Sequence, residues 1–404
     1  ISVWFRMKYL VVIANGLTDK PIAEKENKTP LQLADTPNLD RMVQEGYSGS
    51  VQTIPENRQV GNEISYLSLL GYDPAKYDIA PAYFDALAIG LNLKDGEIPL
   101  CCDFVTLQPS HNDMVMKDYT AGHLSCEESR NYLKALQDQI SDCLVTFYPG
   151  LGFHNIMVIQ SKPFTKCLTP PNELIGEGIR KFMPDGDEFN DLIYIINQAQ
   201  IILHNHPVNQ KRKRENLDSA NSIWLWGNGK KGTLPPFDKK FGKSASLISA
   251  SLLFQGMAKA ANMDVVSVEG ATGFAETNFD NKVEAAIHEL QTKDIVYLNV
   301  AGAEEVSLKG NIDDKILTIE DIDSKVIGPL SKEISLNSGV KMMVVVNHVS
   351  SAVAVKYENG RVPFVISGEK ETASVNKFDE NILNKENNHF KSGSDLMNMF
   401  FDIN

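Results

Sequence analysis

The residues best placed for chemistry lie where apolar runs end. In "VVIANGLTDKP" (11–21), a buried strand from Tyr9 to Ile13 runs into the tight turn Asn15–Gly16. In "VKMMVVVNH" (340–348), a second strand stops at Asn347–His348. Open α/β sheets place their reactive groups at the carboxyl ends of such strands. A carboxylate there would hold a cation, whereas an amide brings no charge to one. Asn-Gly is also a strong turn signal, so Asn15 has a plain reading beside the chemical one. His348 and His123, in "TAGHLSCEES", are candidates for proton transfer. The plain reading of His348 is a hydrogen bond to nearby backbone or to Asn15. Glu304 and Glu305, in "AGAEEVSL", read as residues of a solvated loop, and Cys101–Cys102 as small hydrophobes in a core.

The elements that must position these residues alternate between strand and helix. "TPNLDRMVQEG" reads as a helix with Thr36 as N-cap and Pro37 at its first position. "SGSVQTI" is a strand and "ISYLSLLG" a short helix ending at Gly71. Downstream, "SLISASLLFQGMAKAANM" reads as one helix, "DVVSVEG" as a strand, "VEAAIHELQT" as a helix and "DIVYLNVAG" as a strand. "KILTIEDIDSKVIGPLSKEIS" is a long helix, and "RVPFVISG" closes the set. Continuous Val/Ile runs suit a mostly parallel sheet covered on both faces. The class is therefore α/β: a doubly wound core from residues 7–96 and 233–404. A smaller α+β domain, 97–232, is inserted into it, and "NSIWLWGNGKKGTLPP" is the return crossing.

Bulk properties exclude some partners. The 404 residues carry a net charge of −13, which argues against nucleic acid or an anionic membrane surface. The basic run Lys211 to Arg214 reads as a solvated loop or helix face. Five cysteines (Cys101, Cys102, Cys126, Cys143 and Cys167) include no C-x-x-C pair, so a reducing cytoplasm is the expected setting. No apolar run reaches the ~18 residues of a membrane span. "ISVWFR" lacks the layout of a signal peptide, and Met7 reads as the natural start, with the six residues before it outside the fold.

Seven segments in order resemble the archaeal type of cofactor-independent (2,3-bisphosphoglycerate-independent) phosphoglycerate mutases, members of the alkaline phosphatase superfamily. They are "KTPLQLADTPNLDRM", "LSLLGYDPAKY", "TAGHLSCEES", "HNHPVNQKR", "ANSIWLWGNG", "VEGATGFAETNFDNK" and "RVPFVISG". The resemblance implies an alkaline-phosphatase-like core with an inserted domain. It also implies two divalent cations, Mn or Zn, and a serine that shuttles a phosphoryl group between 3- and 2-phosphoglycerate. Two cations would neutralise that group and activate the serine.

The positions that match the family's motifs are altered. The family's Gly-Asp-Gly is Ala14-Asn15-Gly16, and its Gly-Ser-Asp is Gly61-Asn62-Glu63, so Asn62 stands where the nucleophile belongs. Asp-Glu-Ala-Gly-His becomes Glu304-Glu305-Val306-Ser307-Leu308, Asp-His becomes Asn347-His348, and the last histidine is Tyr357. In the family arrangement, Asn15, Asn62, Asn347 and His348 would serve one ion, and Glu304, Leu308 and Tyr357 the other. On the substrate side, an Arg is replaced by Cys101, an Arg-His pair by His154-Asn155 and a Lys by Gln255, while His123 is kept.

The leading expectation is a catalytically inactive or repurposed family member in which neutral amides keep the fold without metal, and no cofactor is expected. Such a chain would work as a binding or regulatory protein, as a homo-oligomer or with an active paralogue, with a small phosphorylated metabolite as a possible ligand. One alternative is an active enzyme with shifted ligands drawn from Glu63, Glu305 or Asp19; Ser65 and Ser68 lie nearby. Another is metal-free chemistry with His123 and His348 as acid and base.

Overall fold

The structure is a computed structural model and describes residues 7–140, 145–335, 339–368, 375–385 and 388–402. Cys143 and the six residues before Met7 lie outside that set. The chain forms two compact units: residues 1–77 with 234–404, and residues 78–233. The sequence reading set the first boundary at 97. The helix Pro81–Ala88 groups instead with the second unit, where it packs on the strand Glu97–Ser110.

An eight-stranded sheet organises the first unit. Its centre is parallel: Val340–Val345, Lys8–Ala14, Ile295–Val300 and Ala245–Ile248 lie side by side, with Asp264–Val266 at the edge. Val362–Ile366 joins antiparallel to Val340–Val345, and Tyr47–Val51 antiparallel to it in turn. The central strands are buried along nearly their whole length, as continuous apolar runs require when helices cover both faces. Because these strands are parallel, their carboxyl ends fall on one edge, and that edge carries Asn15, Asn347 and His348.

Three readings change here. The run expected as one helix over 246–263 is a strand, Ala245–Ile248, followed by a helix, Leu252–Ala260. Ser251 caps that helix by accepting the amide of Phe254. The long helix expected at 315–335 is continuous but passes through a π-helical turn, Asp323–Ile327. Glu304 and Glu305 are not on a solvated loop: both are buried in the helix Gly302–Leu308.

The second unit is a five-stranded antiparallel sheet around Glu97–Ser110. That strand pairs with Asp113–Asp118, His154–Gln160 and Ser222–Trp226. The helices Cys126–Gln139 and Asn190–His204 carry its apolar core. The basic run is the helix Pro207–Arg214, and Arg212 departs from the solvated reading. Its guanidinium is buried, paired twice with Glu128 at 2.9 Å, and donates to the carbonyls of Ala121 and Gly122. This fork fixes the left-handed turn that ends at His123.

Candidate functional site

Four of the marked positions, Asn62, Asn347, His348 and Tyr357, gather around one carboxylate, that of Glu304. Its Oε1 accepts from Asn62 Nδ2 and from the Tyr357 hydroxyl, each at 2.7 Å, and its Oε2 from Asn347 Nδ2 at 2.7 Å. Asn347 Nδ2 also donates to Asn62 Oδ1 at 2.8 Å, and His348 Nε2 lies 3.1 Å from that same oxygen. A carboxylate only accepts, so both amide NH₂ groups must face Glu304. Asn62, Asn347 and His348 of one expected ligand set and Glu304 and Tyr357 of the other thus form one hydrogen-bonded network, with Glu304 bridging them.

Backbone geometry sets these distances. Gly16 has φ +77°, and a Cβ there would stand 2.2 Å from the backbone nitrogen of Glu304. Only glycine lets the first helical turn after Ile295–Val300 approach so closely. The Gly16 amide also donates to Asn347 Oδ1 at 3.3 Å. Asn62 is the first residue of the helix Asn62–Leu69. Leu308 is one turn beyond Glu304 on the same helix, is buried, and offers no donor atom.

Asn15 belongs to a neighbouring network. It donates to the Tyr66 hydroxyl at 2.6 Å and accepts from Asn299 Nδ2 at 2.9 Å. Burial, and then the nearby Glu304 charge, push the Tyr66 phenol well above its usual range. Tyr66 and Asn299 are the residues that sequence reasoning missed. The only signal was their place, one on the helix that starts at Asn62 and one at a strand's carboxyl end.

His348 is fully buried, and burial holds its ring below the ordinary pKa against the opposing pull of Glu304. Of the two partners the sequence suggested, nearby backbone and Asn15, it takes the first. Its Nδ1 faces the carbonyl of Val349 at 3.2 Å, and its ring packs 4.3 Å from that of Tyr357.

These residues do not fit a pair of divalent cations. A dication needs lone pairs and compensating charge. Here amide and phenol hydrogens occupy both oxygens of Glu304. Of the charged alternatives, Asp19 pairs with buried Lys315 at 2.8 Å and Glu305 with Lys309 at 2.7 Å, while burial holds the Glu63 carboxyl above its ordinary pKa. The serines are committed as well. Ser65 Oγ donates to the Asn62 carbonyl, and Ser68 Oγ accepts the Gly393 amide. Gln255 donates to the Ser249 carbonyl at 2.7 Å.

The second unit holds the other marked residues. Cys101 and Cys102 are both fully buried among apolar groups, and the Cys101 thiol also donates to Asp85 Oδ2 at 3.0 Å. His154 lies between two carboxylates, with Nε2 3.0 Å from Asp85 Oδ2 and Nδ1 2.5 Å from Asp103 Oδ1. Burial alone would lower the His154 pKa, but Asp103 and then Asp85 raise it well above the ordinary value. His123 also lies in this unit, in a left-handed turn, its amide donating to Thr120 Oγ1.

Comparison with known proteins agrees in sequence and in fold. Residues 43–209 match the family model for 2,3-bisphosphoglycerate-independent phosphoglycerate mutase. A probable enzyme of that name from Geobacter sulfurreducens is 35% identical over 398 residues, covering 98% of this chain and 100% of that protein. One from Methanosarcina mazei is 34% identical, covering 97% and 98%. Among solved structures, a Pyrococcus horikoshii protein aligns with a TM-score of 0.76 at 24% identity, over 98% of this chain and 97% of that one. The cofactor-independent phosphoglycerate mutase of Thermoplasma acidophilum aligns with a TM-score of 0.56 at 22% identity, over 98% and 99%. At these identities the two structures speak for the fold.

Proposed function

Because the chain belongs to the 2,3-bisphosphoglycerate-independent phosphoglycerate mutase family, we propose that it is a catalytically silent member that works as a binding or regulatory protein. The observation that carries this reading is the saturated Glu304 carboxylate, held by Asn62, Asn347 and Tyr357. Phosphoryl transfer through a covalent intermediate needs an activated nucleophile. Asn62 carries an amide at that position, and an amide is not one. The hydroxyls of Ser65 and Ser68 are buried in helix packing.

What these residues do instead is structural. Three neutral donors satisfy one buried anion, so no counter-cation is required. A role that remains is recognition of a small phosphorylated metabolite, or association with another copy or an active relative.

The test is conversion of 3-phosphoglycerate to 2-phosphoglycerate by the full chain, followed by phosphorus NMR. Mn²⁺, Mg²⁺, Co²⁺ and Zn²⁺ are added in turn. The expected result is no 2-phosphoglycerate above the buffer control. Metal-stimulated product that disappears in Glu304→Gln would instead establish an active enzyme with displaced ligands.

A further inference from the structure

We propose that the second unit contains a mononuclear transition-metal site, suited to Zn²⁺, with Cys101, His154 and Asp85 as its ligands. Cys101 Sγ, His154 Nε2 and a carboxylate oxygen of Asp85 all lie within 4.8 Å of one another. Thiolate, imidazole and carboxylate together form a ligand set that zinc accepts. A tetrahedral zinc spaces such atoms by roughly 3.3–3.6 Å, as its bond lengths require. The two pairs that share Asp85 Oδ2 stand at 3.0 Å, a few tenths of an ångström short of that spacing.

The cluster stands on rigid elements. Cys101 and Asp103 alternate on one face of Glu97–Ser110, the central strand of the sheet. His154 is the register partner of Asp103 on one side, and Trp226 is the partner of Cys101 on the other. Asp85 comes from the helix Pro81–Ala88. Gly227 leaves the space the thiol fills: a Cβ there would come within 2.6 Å of Cys101 Sγ.

Two further observations point to an ion. Asp85 Oδ1 is buried and has no hydrogen-bond partner, although its residue is 1% exposed. Such an orphan acceptor calls for a missing group, and a water on the open zinc position would supply its hydrogen. Asp103 also acts on the far side of the imidazole. It accepts at His154 Nδ1 and is itself oriented by Trp226 Nε1 at 2.7 Å. A carboxylate on one ring nitrogen with the metal on the other is the usual support of a zinc-bound histidine. Asp103 is thus a positioning residue.

Charge also balances. Binding replaces the His154 ring proton and the Cys101 thiol proton by one dication and releases both protons to solvent, so the cluster's net charge is unchanged. The His154 side chain, 17% exposed, gives the ion its route in.

The site is independent of the Glu304 network, which lies in the other unit. The experiment titrates Zn²⁺ and Co²⁺ into the chelator-stripped full chain. One ion per chain is expected, and the Co²⁺ form should show a thiolate-to-metal charge-transfer band. Cys101→Ser should abolish the band and weaken binding at least tenfold. His154→Gln should weaken binding similarly. Asp103→Asn should lower affinity by about 10–100-fold while keeping the band. Glu304→Gln should change neither stoichiometry nor band. Circular dichroism of each metal-free variant separates loss of the site from loss of the fold. Absence of binding at millimolar metal would overturn the proposal, as would binding indifferent to both Cys101→Ser and His154→Gln. An ion lost only in Glu304→Gln would place metal at the family position and overturn the silent-member reading as well.

Discussion

A single carboxylate gives two of the substituted amides, Asn62 and Asn347, their partner. Glu304 is buried and accepts three hydrogen bonds, two of them from Asn62 and Asn347. Asn347→Asp would replace the amide facing Glu304 at 2.7 Å with a second carboxylate. Two carboxylates at that range cannot both stay ionised without a cation. The expected loss is about 3 kcal/mol of folding stability at neutral pH, the scale of an uncompensated buried charge. The pair's proton affinity is raised in the folded state, so the loss should shrink as the pH falls and the pair takes up a proton. Urea denaturation of metal-free protein at pH 7 and pH 5 measures both effects, and a variant as stable as the parent at pH 7 would count against the network's role. At this scale the sequence revealed which residues were replaced but not what they do together. Asn15, Asn62 and Asn347 read as one all-amide cluster. The folded chain divides them: Asn15 serves Tyr66 and Asn299, while the other two serve Glu304. That choice depends on where a buried hydroxyl and a buried carboxylate meet, which no local pattern encodes.

Elements were legible where their pattern was long and hidden where it was short. The central strands follow from continuous Val/Ile runs, and their parallel packing brings Asn15 and Asn347 to one edge. The strand Ala245–Ile248 overlaps a run, 246–263, that reads as one helix, because four residues are too few to show a period. Ser251, as N-cap, was the available signal of the break. Glu304 and Glu305 read as loop residues, since the helix that holds them, Gly302–Leu308, is only seven residues long and carries little helical signature. Its placement depends on Gly16, whose φ of +77° and 2.2 Å clearance to the Glu304 backbone leave no room for a side chain. Gly16→Ala should therefore cost roughly 3 kcal/mol or more, because strain and overpacking coincide. Thermal unfolding of the variant decides the matter: a change below ~1 kcal/mol would mean that the helix can shift freely, and the Glu304 network would then not be set by this approach.

At the scale of the molecule, the −13 charge and the two-unit division set the context for how stability depends on pH. The acidic balance was readable from composition, but the buried groups that titrate were not. Glu380 is the clearest case. Burial pushes its carboxyl up from 4.5 to about 7, and Asp379 adds to that rise, against hydrogen bonds from Thr29 Oγ1 and the Asp19 amide. The Lys315–Asp19 ion pair lies behind the same loop. A carboxyl whose folded pKa is raised binds its proton more tightly in the native state. Its ionisation then destabilises the fold progressively as the pH rises from about 4.5, and the effect is complete above about 7. The difference amounts to ~3 kcal/mol at ~1.4 kcal/mol per pH unit. His154 acts in the same direction, because its raised folded pKa gives stability that is present at low pH and lost as the pH rises through that value. Self-repulsion of a chain already at −13 adds to both. Denaturation of metal-free protein should therefore show falling stability between pH 5 and pH 8. Glu380→Gln separates the local contribution from the diffuse one: its amide oxygen still accepts from the Asp19 amide, its NH₂ can donate to Thr29 Oγ1, and the titration is removed. The variant should gain on the parent by about 2–3 kcal/mol at pH 8 and by little at pH 5. If the two proteins keep parallel profiles across that range, Glu380 is ionised without penalty, and the slope belongs to His154, the net charge and the other carboxyls that burial raises, Glu63, Asp103, Asp323 and Asp379.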